Sequence, residues 1–118
     1  MALTKMSMEG ATDTPPLSVE EADTFLKRFL GLMGRSKLPQ GHGLLLSPCS
    51  SVHMCFMRFS IDVVYLDEEG HILKIVPNLR PWIGLSLCPG ARATLELAAG
   101  EVGRLGLQEG MRLKRVEG

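Results

Sequence analysis

The stretch IDVVYLDEEGHILKIV, residues 61–76, decides how the rest of the chain reads. Val63, Val64, Tyr65 and Leu66 form an apolar, largely β-branched and aromatic run. Asp67-Glu68-Glu69-Gly70 follows, and Ile72 to Val76 return in the same character. Two such runs around a short, glycine-ended polar segment predict a β-hairpin. Upstream, VHMCFM (residues 52–57) has the length and content of a strand, and Leu44 to Leu46 is a shorter apolar run. The two are preceded by RSKLPQGHG, whose Pro, Gly and short polar residues predict a loop. Downstream, PNLRPWIGLSLCPG is punctuated by Pro77, Pro81, Pro89 and Gly90, which predicts a long irregular connection, a kind of segment often functional in small domains. ATLELA reads as a further strand. A short helical turn near Glu101 to Leu105, a turn at Glu109-Gly110 and a last strand complete the chain.

Nearer the N-terminus, Ser18 precedes Glu21 by three residues, the spacing of a capping box. Ala22, Leu26, Phe29, Leu30 and Met33 repeat at three and four residues, with Gly34 placed to end a helix. These signals predict a helix over residues 19–33. Residues 1–16 are polar, rich in Thr and end in Pro15-Pro16, and they predict a disordered lead-in to one β-rich domain over 17–118. The expected fold is α+β and mostly β. It is a compact, barrel-like antiparallel or mixed sheet of five or six short strands, with one N-terminal helix and a short C-terminal helical turn.

Thirteen basic residues balance thirteen acidic ones. A chain without a basic stripe lacks the electrostatic footprint of a nucleic-acid binder. Its apolar runs are too short to span a bilayer, so no membrane insertion is expected. The N-terminal residues lack the apolar segment of a secretory signal, which predicts a cytoplasmic location. There three cysteines would stay reduced, behaving mainly as small hydrophobes. A pair between Cys49 and Cys88 stays open under oxidising conditions.

PCSSVHMCFM, residues 48–57, concentrates the chemistry, with Cys49, His53 and Cys55 beside Met54 and Met57. On one strand His53, Cys55 and Met57 would share a face, leaving Val52, Met54 and Phe56 to pack inward. The spacing Cys49-x-x-x-His53-x-Cys55 lacks the second close ligand pair of a structural zinc site. Cys49, His53, Cys55 and Cys88 are therefore weak metal candidates, and no cofactor is expected. A cysteine nucleophile would need a base within hydrogen-bond reach, and neighbours of like direction on a strand sit too far apart for a direct bond. Asp62, a carboxylate entering an apolar strand, needs a partner, and His53, Arg58 or Arg80 could supply it. Arg80 and Trp82 suit recognition, although a single Trp is as readily a lid on the core.

The segments GLMGRSKLPQGHGLLLSPCSSVHMCFMRFSIDVVYLDEEGHILKIVPNLRPW and ATLELAAGEVGRLGL resemble a family of small uncharacterised prokaryotic proteins, catalogued as domain of unknown function 192. The resemblance runs from Phe29 to the C-terminus. It implies a compact β-rich fold with a helix on one side, and no reaction. The family's hallmark residues match His53, Met57, Asp62, Pro81 and Trp82, and frequent cysteines at the positions of Cys49 and Cys88 imply that these two lie together. Ser60 stands where many relatives have Pro, and Met54 where they have Thr. Some relatives look exported. The sequence thus supports a ligand- or partner-binding accessory module with a cleft around His53, Asp62, Arg80, Trp82 and Met57. The alternatives are a small enzyme using a His53–Asp62 pair, with or without a cysteine nucleophile, and a soft-metal binder. The expected partner is a small ligand or another protein.

Overall fold

A computed structural model describes residues 3–10, 16–22, 24, 32 and 35–116. Its centre is the predicted hairpin. Strands β5 (Ile61–Leu66) and β6 (Ile72–Leu79) pair antiparallel across a turn that Asp67 organises. The Asp67 carboxylate accepts the backbone N–H groups of Glu69 (2.8 Å) and His71 (2.9 Å). These bonds hold it below the usual carboxylate range. Every residue of β5 is buried, so the strand is covered on both sides. Ile61, Val63 and Tyr65 enter one apolar cluster, while Val64 and Leu66 enter the other.

The remaining strands are β1 (Leu3–Met8), β2 (Leu17–Ala22), β3 (His42–Leu46), β4 (Ser51–His53), β7 (Leu85–Leu87), β8 (Ala93–Ala98) and β9 (Leu113–Arg115). Seven of the nine strands among the described residues form one sheet in the order β6-β5-β8-β3-β2-β1-β9. It is antiparallel except where β2 runs parallel to β3. The sheet curls until its two outermost strands approach at one end. Ile72 N donates to Met111 O (2.8 Å), Gly110 N to Ile72 O (2.9 Å) and Leu113 N to Gly70 O (2.9 Å). The inside of the curl holds Val19, Leu45, Val64, Leu95, Leu97 and Leu113. Strands β4 and β7 make a separate two-stranded layer, and Val52, Met54 and Cys88 pack it against Leu44, Leu46, Val63 and Tyr65 on the sheet's other side. Helix α1 (Glu101–Leu105) follows β8.

The hairpin, the strand 93–98, the helical turn 101–105 and the final strand lie where the sequence predicts them. Four expectations change. Among the described residues strands number nine, because β1, β2 and β7 owe their strand identity to distant partners and escape pattern reading. Residues 3–8, expected within a disordered lead-in, form β1, which bonds to both β2 and β9. The helix expected at 19–33 does not form at its start. Leu17 and Val19 are buried while Ser18 and Glu20 are half-buried, a period of two, and pairing along β3 satisfies this backbone. The capping-box partners are used elsewhere: Ser18 N donates to Gly41 O, and Glu21 binds Arg115. Most of the rest of that span lies outside the described residues. Finally, residues 52–57 are not one strand, since β4 ends at His53.

Candidate functional site

Two loops converge where β4 ends. Residues 54–57 close a tight turn, Met57 N donating to Met54 O (3.1 Å), with Phe56 at φ 64°. Opposite, Trp82 stands at φ 68° in the turn that leads into β7. Met54 ties the two together: its carbonyl accepts Trp82 N (2.7 Å), and its N–H donates to Gly84 O (2.9 Å). Positive φ strains any residue with a Cβ, so both aromatics are held out by surrounding bonds rather than by local preference. Gly84 is required beneath them, because a Cβ there would lie 2.6 Å from Arg80 O and 2.8 Å from the Met54 side chain. The rings of Phe56 and Trp82 meet edge to face with centroids 5.3 Å apart.

These aromatics are part of a larger apolar surface. Phe56 is 62 % exposed, Trp82 57 %, Ile83 78 %, Leu85 68 % and Leu87 57 %. Leu85 and Leu87 point outward because Ser86 between them points in, and across the pairing His53 faces Leu85 while Ser51 faces Leu87. The two segments that build the face carry charges of one sign. Arg58 and Arg80 are exposed beside the two loops, and Lys74 donates to Leu87 O (2.9 Å). No Asp or Glu occurs from residue 42 to 61 or from 71 to 95.

The structure separates the residues grouped from the sequence. His53, Arg80 and Trp82 belong to this face. Met57 lies under it, buried, so it does not share a surface with the exposed His53 and Cys55. Phe56, expected inward with Val52 and Met54, is the one of that trio facing out. Asp62 is elsewhere. It is 1 % exposed, and Oδ1 accepts Asn78 N (2.9 Å) while Oδ2 accepts Gly100 N (3.1 Å) and Val102 N (2.9 Å). Its expected partner was His53, Arg58 or Arg80; backbone amides take that place, because the bulge in β6 and the start of α1 both turn N–H groups toward it. No His53–Asp62 hydrogen bond forms among the described residues.

Cys49, half-buried, Cys55, exposed, and Cys88, buried, are free thiols, and Cys49 Sγ donates to Ser51 O (3.1 Å). Among the described residues no three His, Cys, Asp or Glu side chains converge as a metal site.

A second group, which the sequence did not single out, lies beneath the β4–β7 layer. Tyr65 and Ser86 are buried neighbours whose hydroxyls do not meet in hydrogen-bond geometry. Burial raises the Tyr65 phenol above its ordinary value. Glu96 on β8 is buried, and desolvation pushes its carboxyl up to about 7, against the pull of Arg35. Arg35 itself is paired with Glu20 (2.9 and 3.3 Å), whose carboxyl that contact lowers. Only Glu96 carried a sequence signal, as an acid flanked by apolar residues on both sides.

A curled β-sheet roofed by a two-stranded layer, with an apolar face on the roof, defines a class of small β-rich proteins. The family profile DUF192, described as Uncharacterized ACR, matches residues 6–115, and the chain belongs to that family. Curated relatives are UPF0127 proteins. One from Thermococcus gammatolerans is 36 % identical over 98 residues, covering 78 % of this chain and 62 % of its own. Another, from Thermococcus sibiricus, is 33 % identical over 96 residues with the same coverages. The match thus spans about three-fifths of those relatives' length. Among solved structures, a candidate transcription regulator from Sinorhizobium meliloti superposes with a TM-score of 0.88 at 27 % identity, over 97 % of this chain and 94 % of that one. A Novosphingobium aromaticivorans protein of unknown function shares the fold, with a TM-score of 0.82 at 20 % identity over 95 % and 84 % of the two chains.

Proposed function

We propose that the chain is a partner-binding module whose docking surface is the outer face of the β4–β7 layer, and that its partner is a protein segment mixing acidic and apolar residues. The observation that carries this reading is the Phe56–Trp82 pair, held out on left-handed backbone beside exposed Ile83, Leu85 and Leu87. Contiguous apolar patches of this kind mark interaction sites. Trp and Arg are the side chains most often found at the energetic centre of interfaces. The choice of partner follows from charge. Arg58, Lys74 and Arg80 surround the patch without a compensating acid in either segment that builds it, so a second copy of the same face would be repelled and an acidic segment attracted. His53 and Arg80 supply polar contacts at the rim, and Asp62 acts only through the loops it braces.

Trp82 is the sole tryptophan, so its emission reports on this face alone. The test is a fluorescence titration with a synthetic peptide in which Glu and Leu alternate, with the Lys–Leu counterpart and with phosphatidylcholine/phosphatidylglycerol vesicles. A blue shift with the acidic peptide only, requiring at least about tenfold more peptide in the double variant Leu85→Ser/Leu87→Ser, is the expected result. Equal response to both peptides, or silence to both, overturns the proposal. A response to vesicles without one to peptide moves the assignment to a lipid surface.

A further inference from the structure

At the same end of the curled sheet as the seam that residues 72 and 111 begin, beside the Gly70–Leu113 junction, the inside of the curl is open to solvent through a cleft of about 300 Å3. Its floor is core: Met6 from β1, Leu45 from β3, Leu66 from β5, Ala93 from β8 and Leu113 from β9. Mouths of β-barrels are among the preferred places for ligand sites. This volume sits at the small end of the ~300–1,000 Å3 that such sites occupy, so it suits a small molecule and not a long-chain lipid.

The rim carries charge of both signs, and much of it is already committed. Arg112 is bound to Glu9 (2.9 Å) and to Glu69 O (2.7 Å), Arg115 is bound to Glu21, and Asp67 is consumed by its own turn. What remains open is opposed. Arg92, entering β8, joins no ion pair among the described residues, and Lys114 on β9 reaches only Glu9 at 3.9 Å. In the hairpin turn, the Glu68 and Glu69 carboxylates likewise have no ion-pair partner among the described residues. A simple anion would leave the two carboxylates facing it, and a simple cation would leave Arg92.

We infer that this cleft binds a small zwitterion with an apolar body, a free apolar α-amino acid. The carboxylate goes to Arg92, the ammonium to the Glu68–Glu69 turn and the side chain onto the Leu45–Leu66 floor. No covalent step is involved. The site is separate from the β4–β7 face and does not depend on it.

The experiment is an amide NMR titration of the whole chain with L-leucine, beside hexanoate and hexylamine, which each carry one of the two charges. Leucine is expected to shift the amides of Met6, Leu66, Arg92 and Lys114, and to bind at least about tenfold more tightly than either analogue. Arg92→Gln should weaken leucine by about tenfold, the loss that one charge-assisted hydrogen bond represents. Arg92→Lys should retain part of the affinity, and Trp82→Ala all of it. Arg92 is exposed, so its variants are expected to keep the wild-type spectrum elsewhere. Absence of shifts, hexanoate binding as tightly as leucine, or indifference to Arg92→Gln would each sink the assignment.

Discussion

Asp62 and Glu96 lie on adjacent strands, are both carboxylic acids, and are both buried, yet their environments set them to opposite tasks. Asp62 accepts three backbone N–H groups, which replace the water it lost. Changing it to Asn substitutes a donor for one acceptor oxygen, leaving at least one amide facing another donor. Asp62→Asn should therefore lower the unfolding free energy by about 2–4 kcal/mol, read from urea denaturation, with Trp82 emission nearly unchanged in the folded baseline. Among the described residues no backbone amide donates to Glu96, and burial raises its carboxyl to about 7 from 4.5. A raised acid favours folding only while it is protonated. The contribution is complete below pH 4.5, declines as pH rises through the window from 4.5 to about 7, and is absent above it. A shift of that size is worth about 3 kcal/mol. Glu96→Gln, which mimics the protonated acid, should flatten this decline and leave the variant more stable than wild type at pH 8. Glu20, Asp67 and Glu101 titrate the other way, their carboxyls held low by Arg35, the His71 N–H and Arg104, so their stabilisation is lost below pH 4.5 and does not mask the effect. A wild-type chain as stable at pH 8 as at pH 5 would refute the role given to Glu96.

The element that makes the sheet a near-closed barrel is the junction of the β5–β6 turn with β9, and Gly70 is its pivot. Its φ is +89°, and a Cβ would lie 2.2 Å from Leu113 O, the backbone of the strand it helps to seat. Gly70→Ala must move one segment or the other. It should cost about 2 kcal/mol or more from left-handed strain and contact together, and hydrogen exchange at Ile72 and Leu113 should accelerate selectively. Uniform exchange across the sheet would show that the junction does not act as a unit. How far the elements could be read from sequence follows from where their bonds lie. β5, β6, β8 and α1 were legible because a turn or a glycine brackets each run and the apolar pattern is local. β1 and β7 were not, because three- to six-residue strands take their identity from a distant partner: Lys5 from Ser18, Ser86 from Val52; β4 was expected but read four residues too far. β2 misled for the opposite reason. Ala22 and the residues after it carry helical spacing, but Leu17 and Val19 belong to a ladder with β3, and burial of the ladder wins over local propensity. At the candidate site, His53, Arg80 and Trp82 were visible as residue types. The surface they share with Leu85 and Leu87 was not, since it depends on Ser86 turning inward.

Over the whole molecule, formal charge is zero, but it is not evenly spread. The two segments that supply the β4–β7 layer and its loops hold basic residues and no acid, while acids cluster in the β5–β6 turn, β2 and the residues around α1. A neutral chain polarised in this way steers a charged partner toward one side, an effect that acts on the rate of encounter more than on the final contact. The apolar centre and the basic rim should therefore separate experimentally. Arg58→Glu/Arg80→Glu should slow association of the acidic peptide by about tenfold at low salt, the variant and wild type converging as ionic strength shortens the Debye length to about 3 Å near 1 M. Leu85→Ser/Leu87→Ser should leave the salt dependence intact while speeding dissociation. Because all four side chains are exposed, each variant should stay within about 0.5 kcal/mol of wild-type stability. Stopped-flow Trp82 fluorescence across a salt series decides the matter. If the charge reversal acted on dissociation alone, steering by the acid-free layer would be excluded, and the basic rim would be ordinary solvated surface.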